Sequence, residues 1–431
     1  MKNNKAEERI PWLWIPSLYL AEGLPYVVVM TVSVIMYKRM EISNAEIALY
    51  TSWLYLPWVI KPFWSPIVDL LKTKRFWIII MQFFIGAGLA GVALTLPMEN
   101  FFKYTLAFFW LMAFSSATHD IAADGFYMLG LKEHEQAFFV GIRATFYRIA
   151  FIAGQGLLVI LAGQIEEISG DIPYAWMITF FTLAGLFMLF FIYHLFILPN
   201  PKSDSKRSEI QSKKFFNEFF RTFASFFKKK EILLILLFIL FYRFAEAQLV
   251  KMASPFLLDG KESGGLALST SQVGLVYGTV GVIALSLGGI LGGFAAARKG
   301  LKFWIWWMLI AINLPNVVYV YLAYTQTSNF LLINISVAIE QFGYGFGFTA
   351  FMLYLIYISE GDFKTAHYAI ATGFMALGMM LPGMISGWIQ ELLGYQNFFI
   401  WICISTIPAF IITKFLKIDP LFGKKIIKQN E

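Results

Sequence analysis

The chain has 431 residues, of which 58% are hydrophobic and only 14% are charged, and its formal net charge is +7. Soluble domains contain about 25% charged residues, so this composition excludes an ordinary soluble protein and indicates a chain that lies in a lipid bilayer. The basic residues fall in the connections between apolar segments, which excludes a nucleic-acid-binding patch. The single cysteine, Cys403, excludes a disulfide framework.

Twelve apolar segments follow one another along the chain, and each is long enough to cross the hydrocarbon core, which requires about 20 residues. The first segment is longer than the core of a signal peptide, so we expect it to be retained as a helix. The sequence therefore predicts an all-α membrane protein with 12 transmembrane helices. The predicted spans are 12–37, 46–71, 76–98, 104–130, 137–163, 174–198, 231–257, 271–296, 303–325, 329–358, 366–392 and 395–416.

The distribution of Lys and Arg predicts the orientation of these helices. One set of connections, which includes both termini, contains 25 of these residues, whereas the other set contains 4. Positive charge accumulates on the cytoplasmic side of membrane proteins. We therefore expect a multi-pass protein of the bacterial inner membrane with both termini in the cytoplasm.

The connection at 199–230 divides the chain into two halves, 1–198 and 231–431. It contains phenylalanines at helical spacing with lysines on either side, which predicts a basic amphipathic helix on the anionic inner leaflet. We expect this segment to be a linker and a membrane anchor. Its phenylalanines are Phe215, Phe216, Phe219, Phe220, Phe223, Phe226 and Phe227.

The two halves resemble one another. Glu22 in the first span and Glu246 in the seventh are 224 residues apart, and the capping boxes that begin at Ser43 and Ser269 are 226 residues apart. This repeat predicts two pseudo-symmetric six-helix bundles, which is the layout of major facilitator transporters.

Several charged side chains lie inside the predicted spans, where an ionised group is costly and usually marks the pathway of a solute or a proton. They indicate a transporter of a polar or anionic small molecule. These residues are Glu22, Lys61, Asp120, Asp124, Arg148, Arg243, Glu246 and Glu340.

Asp120 and Asp124 are four residues apart, so they share one face of a helix. Two carboxylates in a low-dielectric site repel each other unless one of them binds a proton, which makes the pair a candidate proton-coupling site. The alternative is a pair that Lys or Arg neutralises for stability alone. Glu340 has no charged partner in its own turn and is a candidate for a second proton or substrate residue.

Cations at mid-depth need acidic partners or ligands. Lys61 is too deep to reach water easily, so we expect it to pair with Asp120 or Asp124. Arg148 either binds an anionic group of the substrate or pairs with Glu22. Arg143 lies closer to the cytoplasmic end, where we expect a structural ion pair.

For two further sets of charged residues the sequence gives weaker indications of a role. Arg243 and Glu246 are three residues apart, which favours either a self-contained helix pair or a binding site about equally. Asp69, Arg75 and Arg298 lie at the predicted cytoplasmic ends of helices, where we expect salt-bridge elements of a gate.

The sequence contains no nucleotide-binding loop, no zinc-binding histidine motif and no nucleophile elbow. We therefore expect no enzymatic activity, no cofactor and no metal site. Transport must then be driven by an ion gradient.

Several motifs resemble those of the muropeptide permease (AmpG) branch of the major facilitator superfamily and of the related acetyl-coenzyme A transporter group. The resemblance covers nearly the whole chain, although it separates the two branches poorly. The motifs are Lys61-x-x-Trp64-Ser65-Pro66-x-x-Asp69, the twin-aspartate run from Ser116 to Gly125, Tyr147-Arg148, Glu246 with Gln248, the run from Gln272 to Val276, Glu340, and Pro382-Gly383-x-x-x-Gly387-Trp388.

The resemblance implies proton-coupled import of anhydro-sugar muropeptides by a protein that we expect to be a monomer. In this interpretation Asp120 and Asp124 carry the proton and Lys61 changes partners between them. Arg148 holds a carboxylate of the substrate. Glutamine side chains hold sugar hydroxyls, and the candidates are Gln248 and Gln341.

Other functions remain open at this point. The solute could be a sugar, an oligosaccharide or a coenzyme A thioester. The chain could also be a membrane sensor or scaffold that transports nothing, or a membrane-embedded acyltransferase.

Overall fold

The computed structural model describes residues 10–201, 204, 220–361 and 363–424, and every regular element among them is a helix. The elements before the linker are α1 Ile15–Val27, α2 Ser33–Arg39, α3 Asn44–Trp53, α4 Leu56–Leu71, α5 Lys74–Thr95, α6 Phe101–Gly130, α7 Glu133–Phe151, α8 Val159–Ser169 and α9 Ile172–Ile197. Residues 220–227 form α10. It is followed by α11 Ile232–Phe241, α12 Phe244–Leu258, α13 Thr270–Val273, α14 Val282–Lys299, α15 Leu301–Asn313, α16 Val317–Thr325, α17 Phe330–Ser359, α18 Lys364–Ile404 and α19 Ile407–Lys414.

Each of the 12 predicted spans coincides with one helix or with one interrupted helix, which confirms the predicted fold class. The second span, for example, is interrupted between α3 and α4. Nine stretches of the described chain are long and apolar enough to cross a membrane, and the last of them, Lys364–Lys414, contains two of the predicted spans. Those two spans meet at Gly394, whose positive φ of 69° interrupts α18.

Three spans contain a wider, π-helical turn, at Val28–Val32, Ile152–Leu158 and Gly274–Gly281. The first follows Pro25, which has no N–H to donate to the preceding turn. The other two are rich in glycine. Such turns insert an extra residue into a helix and are frequent at functional sites.

The described chain divides into two compact units. Unit 1 contains the described residues of Met1–Glu41 and Ile60–Phe219, and unit 2 contains those of Ile42–Val59 and Phe220–Glu431. The division follows the predicted halves except at Ile42–Val59, which precedes the linker and contains α3 and the first residues of α4. Within unit 2, α3 packs against α12 and α18.

Glycines of α18 allow α3 to approach closely. A Cβ on Gly387 would lie 2.0 Å from the carbonyl oxygen of Asn44, so only glycine fits there. The side-chain amide of Asn44 donates to Oε1 of Gln390 at 2.6 Å and to the hydroxyl of Tyr395 at 2.9 Å. The hydroxyl of Tyr395 donates in turn to Asp259 at 2.6 Å. These contacts fix α3 in unit 2 by both shape and hydrogen bonding.

Small residues also hold α14 against α17. A Cβ on Gly345 would lie 1.9 Å from the carbonyl oxygen of Leu285, and one on Gly288 would lie 2.1 Å from that of Phe342. Gly288 and Gly292 form a G-x-x-x-G run in α14, which is therefore a packing surface, as such runs commonly are in membrane helices.

The described end of the linker packs into the core of unit 2. Phe226 in α10 is fully buried and stacks with Phe374 of α18 at a centroid distance of 6.3 Å. Phe220, one and a half turns earlier, is exposed. The rest of the predicted amphipathic helix, with Phe215, Phe216 and Phe219, lies outside the described residues.

Candidate functional site

Unit 1 contains a group of charged side chains on α1, α4, α6 and α7, which we call the N-terminal charge cluster: Glu22, Lys61, Asp120, Asp124 and Arg143. Asp120 and Asp124 are one turn apart on α6, as their spacing predicts. The ammonium group of Lys61 forms an ion pair with Asp120. Nη1 of Arg143 donates to Oδ1 of Asp124 at 3.0 Å. The predicted partnership of Lys61 with one of the aspartates is confirmed.

Aromatic residues fix the position of Arg143. Its guanidinium group also donates to the hydroxyl of Tyr19 at 3.0 Å and lies over the rings of Tyr19 and Tyr127, at 5.2 Å and 4.9 Å from their centroids. A guanidinium between two rings and a carboxylate is held in one orientation. The structural ion pair predicted for Arg143 is therefore present.

Glu22 is the most buried carboxyl group of the N-terminal charge cluster, with 7% of its surface exposed. Its side chain makes a hydrogen-bond contact with Asp120, and Lys61 and Asp124 are its other charged neighbours. A hydrogen bond between two carboxyl groups requires a proton on one of them, because ionised carboxylates only accept. This contact provides a specific place for a proton.

The charges of the N-terminal cluster do not cancel without that proton. Three carboxyl groups face two cations, so the cluster is neutral only when one carboxyl group is protonated. The side chains of Lys61 and Asp120 remain 27% and 22% exposed, and that of Asp124 remains 46% exposed. The cluster therefore has a buried end at Glu22 and an accessible end at Asp124.

Unit 2 contains a second group, the C-terminal charge cluster, which consists of Arg243, Glu246, Glu340, Gln341 and Tyr319. Glu340 of α17 accepts from Gln341 Nε2 at 3.0 Å and from the hydroxyl of Tyr319 at 3.4 Å. Glu246 and Glu340 are 1% and 2% exposed and are electrostatic neighbours. Neither oxygen of Glu246 has a hydrogen-bond partner among the described residues.

The interpretation of Arg243 and Glu246 as a self-contained helix pair is wrong. Arg243 has φ −112° and ψ 18°, and α12 begins only at Phe244, so the helical spacing that would join the two side chains is absent. Arg243 instead donates to the hydroxyl of Tyr344 and lies over the rings of Tyr344 and Phe348, at 5.1 Å and 4.7 Å from their centroids.

The two clusters have the same arrangement. In each unit a glutamate of the first span of its half is an electrostatic neighbour of an acidic residue of the fourth span: Glu22 of Asp120 in unit 1, and Glu246 of Glu340 in unit 2. The two glutamates are 224 residues apart in the sequence, and the two partners are 220 apart. Each cluster also has one more carboxyl group than it has cations.

The remaining predicted ligand residues differ in their surroundings. Gln248 is fully buried, accepts from the indole of Trp401 at 2.9 Å and donates to the carbonyl oxygen of Phe244 at 3.2 Å. Its amide therefore has a structural role in this structure, and we do not retain it as a sugar ligand. Arg148 lies half-buried near the end of α7, on the same helix as Arg143.

Of the predicted gate residues, Arg75 belongs to unit 1 and Arg298 to unit 2. Arg75 donates to the carbonyl oxygens of Leu195 and Leu198 at 2.6 Å and 3.4 Å, which caps the end of α9 within unit 1. Arg298 is exposed in the last turn of α14, in unit 2. The side chain of Asp69 lies outside the described part of the structure.

Two sets of buried polar residues were not identified as candidates from the sequence. Lys251 of α12 is 1% exposed, although it lies inside the seventh predicted span, where its charge was a visible signal. In unit 1, Ser17, His194, Gln82 and His119 form a chain of hydrogen bonds of 2.9 to 3.0 Å. His119, which precedes Asp120 in the chain, is fully buried.

Comparison with known proteins identifies related sequences over nearly the whole chain. A family model described as the Major Facilitator Superfamily matches residues 17–360. A protein of Rickettsia conorii with the provisional name "transporter AmpG 4" is 24% identical over 413 residues, which are 93% of this chain and 94% of that protein.

Solved structures share the fold. The crystal structure of a D-xylose-proton symporter matches with a TM-score of 0.71 at 13% identity, over 96% of this chain and 99% of that one. The nucleoside transporter NupG matches with a TM-score of 0.67 at 17% identity, over 94% and 98% of the two chains. At these identities the likeness describes architecture and does not identify a solute.

Proposed function

This chain belongs to the Major Facilitator Superfamily, and we propose that within this family of transporters it is a proton-coupled symporter that imports cell-wall muropeptides or related amino-sugar fragments by alternating access. The observation that carries the coupling is the N-terminal charge cluster. Its three carboxyl groups and two cations become neutral with one proton, and the contact between Glu22 and Asp120 is the place for that proton. Lys61 exchanges between Asp120 and Asp124 as the proton enters and leaves.

The C-terminal charge cluster supports a second acidic site. Burying an ionised carboxylate without a donor costs several kcal/mol, so Glu246 with its unpartnered oxygens is stable when a proton or a cationic group of the solute neutralises it. Glu340 is the neighbouring proton acceptor in this proposal. Arg243 and Gln341 complete the polar lining to which a substrate binds.

The proposal for the solute has a separate basis. The relatives with AmpG names support a muropeptide, and the twin-aspartate and Lys-x-x-Trp-Ser-Pro motifs agree with it. Uptake of another solute, such as a sugar, an oligosaccharide or a coenzyme A thioester, is the alternative. We place the protein as a monomer in the bacterial inner membrane, with both termini in the cytoplasm.

Uptake into proteoliposomes tests the function. With an inward proton gradient, we expect the protein to accumulate labelled N-acetylglucosaminyl-anhydromuramyl peptide above its external concentration, and a protonophore should abolish the accumulation. Labelled D-xylose serves as the competing solute. Accumulation of xylose but not of the muropeptide would retain the coupling and refute the substrate, whereas accumulation of neither would refute transport of both classes.

Arg148 is the residue that we propose to hold a carboxylate of the solute. A guanidinium group can bind a carboxylate through two parallel hydrogen bonds. We therefore expect Arg148→Ala to weaken binding of 1,6-anhydro-N-acetylmuramic acid by about 10-fold or more, since a hydrogen bond to a charged group contributes about 1.5–3 kcal/mol. Binding of the corresponding carboxamide should change little. Equal losses for both ligands, measured by calorimetry on the purified variant, would refute the role.

A further inference from the structure

Lys251 is a buried cation to which the proposed proton mechanism gives no role. It lies in α12, five residues after Glu246, and is 1% exposed. Its ammonium group donates to Oγ1 of Thr51 at 2.9 Å and lies 5.3 Å from the centroid of the Tyr55 ring. Among the described residues Thr51 is its only hydrogen-bond acceptor, and no carboxylate lies within ion-pair distance of it.

These contacts satisfy only one of the hydrogen-bond donors of the Lys251 ammonium group and do not balance its charge. An ammonium group has three donors, and a buried charge without a counter-ion is strongly unfavourable. The face of one tyrosine ring offsets only a fraction of that cost. A counter-ion that comes from a bound ligand, and not from a side chain of the protein, would complete the site.

Two hydroxyl groups near Lys251 are also unsatisfied. Ser254 is one turn further along α12, and Ser52 is adjacent to Thr51 on α3; both are buried, and neither Oγ has a partner in the described part of the chain. Gly383 of α18 makes room for this approach, because a Cβ there would lie 2.7 Å from Ser52 Oγ and 3.4 Å from Lys251 Cγ. The ammonium group of Lys251 and the hydroxyl of Ser254 both belong to α12, and a carboxylate accepts hydrogen bonds from both kinds of group.

The cover of this site is α3. Thr51 and Tyr55, which contact the ammonium group, lie at and just beyond its end, and α3 precedes the linker in the chain although it packs in unit 2. Separation of α3 from α12 would remove the hydroxyl and the ring from Lys251 and expose its three donors. When α3 returns, the hydroxyl of Thr51 would take the place of the anion as the hydrogen-bond acceptor of Lys251.

We propose that Lys251, with Ser254, binds a carboxylate group of the transported solute while α3 is separated from α12, and that α3 covers the site after the solute has left. The inference rests on the proposed function, since it names the chemical group by which the solute is recognised. Lys251 belongs to unit 2 and Arg148 to unit 1. The variants of Lys251 and of Arg148 are therefore separate tests of two different residues.

The experiment compares two labelled probes, 1,6-anhydro-N-acetylmuramic acid and its carboxamide, with the full-length protein in proteoliposomes. We expect Lys251→Met to raise the KM for the acid by about 10- to 100-fold and to change the KM for the carboxamide less than about 2-fold, because only the acid makes a charge-assisted contact. Lys251→Arg should restore part of the affinity for the acid.

Two controls separate binding from folding. Lys302→Met removes the same charge from an exposed position of α15 and should change neither KM. The melting temperature of Lys251→Met in detergent should equal or exceed that of the wild type, because removing an uncompensated buried charge does not destabilise.

Three results overturn the proposal in distinguishable ways. Equal changes in KM for both probes in a folded Lys251→Met protein, or no change in either, would refute carboxylate binding by Lys251. A large drop in the melting temperature would assign Lys251 to structure. Wild-type protein that transports neither probe would instead refute the proposed function on which the inference rests.

Discussion

Asp120→Asn is expected to abolish proton-driven accumulation of the solute while leaving the protein folded. Asp120 is the carboxyl group that contacts both Lys61 and Glu22. Its replacement by a neutral amide of nearly the same shape leaves two carboxyl groups and two cations in the N-terminal charge cluster. That set is neutral without a proton, so the step that binds one is lost.

The expected result has two parts. The ratio of internal to external solute should fall from well above one to one, whereas exchange of labelled for unlabelled solute across the membrane should persist. Asp124→Asn should act in the same direction, because it removes the partner of Arg143 and the alternative partner of Lys61. Raising the external pH should likewise reduce accumulation by the wild type as the cluster loses its proton.

Glu167→Gln is the matched control. Glu167 is an exposed carboxylate at the end of α8, so the substitution makes the same change in charge outside the cluster. Accumulation should equal that of the wild type. If Asp120→Asn and Asp124→Asn both retain protonophore-sensitive accumulation, coupling does not depend on this cluster, and Glu340 becomes the residue to test.

Lys61→Met is expected to produce the largest loss of stability among the charge variants. It leaves three carboxyl groups opposite Arg143 alone, and removal of one partner from a buried ion pair destabilises by about 3–5 kcal/mol. Lys61 and Asp120 are about a quarter exposed, so the lower end of this range applies. The measurement is the free energy of unfolding, or the melting temperature, of the purified protein in detergent.

The double variant Lys61→Met, Asp120→Asn distinguishes charge balance from packing. It removes one charge of each sign, so it should recover most of the stability that Lys61→Met loses. The control pair is Lys417 with Glu231, at 2.5 Å, in which the lysine is 77% exposed. Lys417→Met should therefore destabilise by less than about 1 kcal/mol. A double variant no more stable than Lys61→Met would show that the ion pair is not the cause of the loss.

The fold was predictable from the sequence because a bilayer imposes a length on each element. An apolar run of about 20 residues has one stable form in hydrocarbon, and the 12 predicted spans follow from that. The shared face of Asp120 and Asp124 was predictable for a similar reason, since a helical period needs no tertiary information.

Partner choice was less predictable. The sequence indicated that Lys61 needs a carboxylate, but only the folded structure shows that Lys61 pairs with Asp120 and that Arg143 pairs with Asp124. The π-helical turns were not predicted either, because an extra residue in a uniformly apolar helix does not change its hydrophobic pattern enough to be detected.

Arg243 illustrates a local cause of error. Its spacing from Glu246 predicts contact only within a continuous helix, and the seventh span is interrupted at Arg243 itself. The guanidinium group therefore turns to Tyr344 and Phe348 on α17. Aromatic partners of a cation lie anywhere in the chain, so sequence spacing cannot identify them.

The position of α3 has a consequence for any attempt to divide the molecule. A gene cut at the linker would encode a first fragment that includes α3 without the helices against which it packs, and a second fragment in which the surfaces of Gly383 and Gly387 have lost the helix that covers them. The surface of α3 on the first fragment would fit the surface of Gly383 and Gly387 on the second. Co-expressed fragments should therefore reassemble through α3, whereas either fragment alone lacks a complete core and is a substrate for membrane proteases.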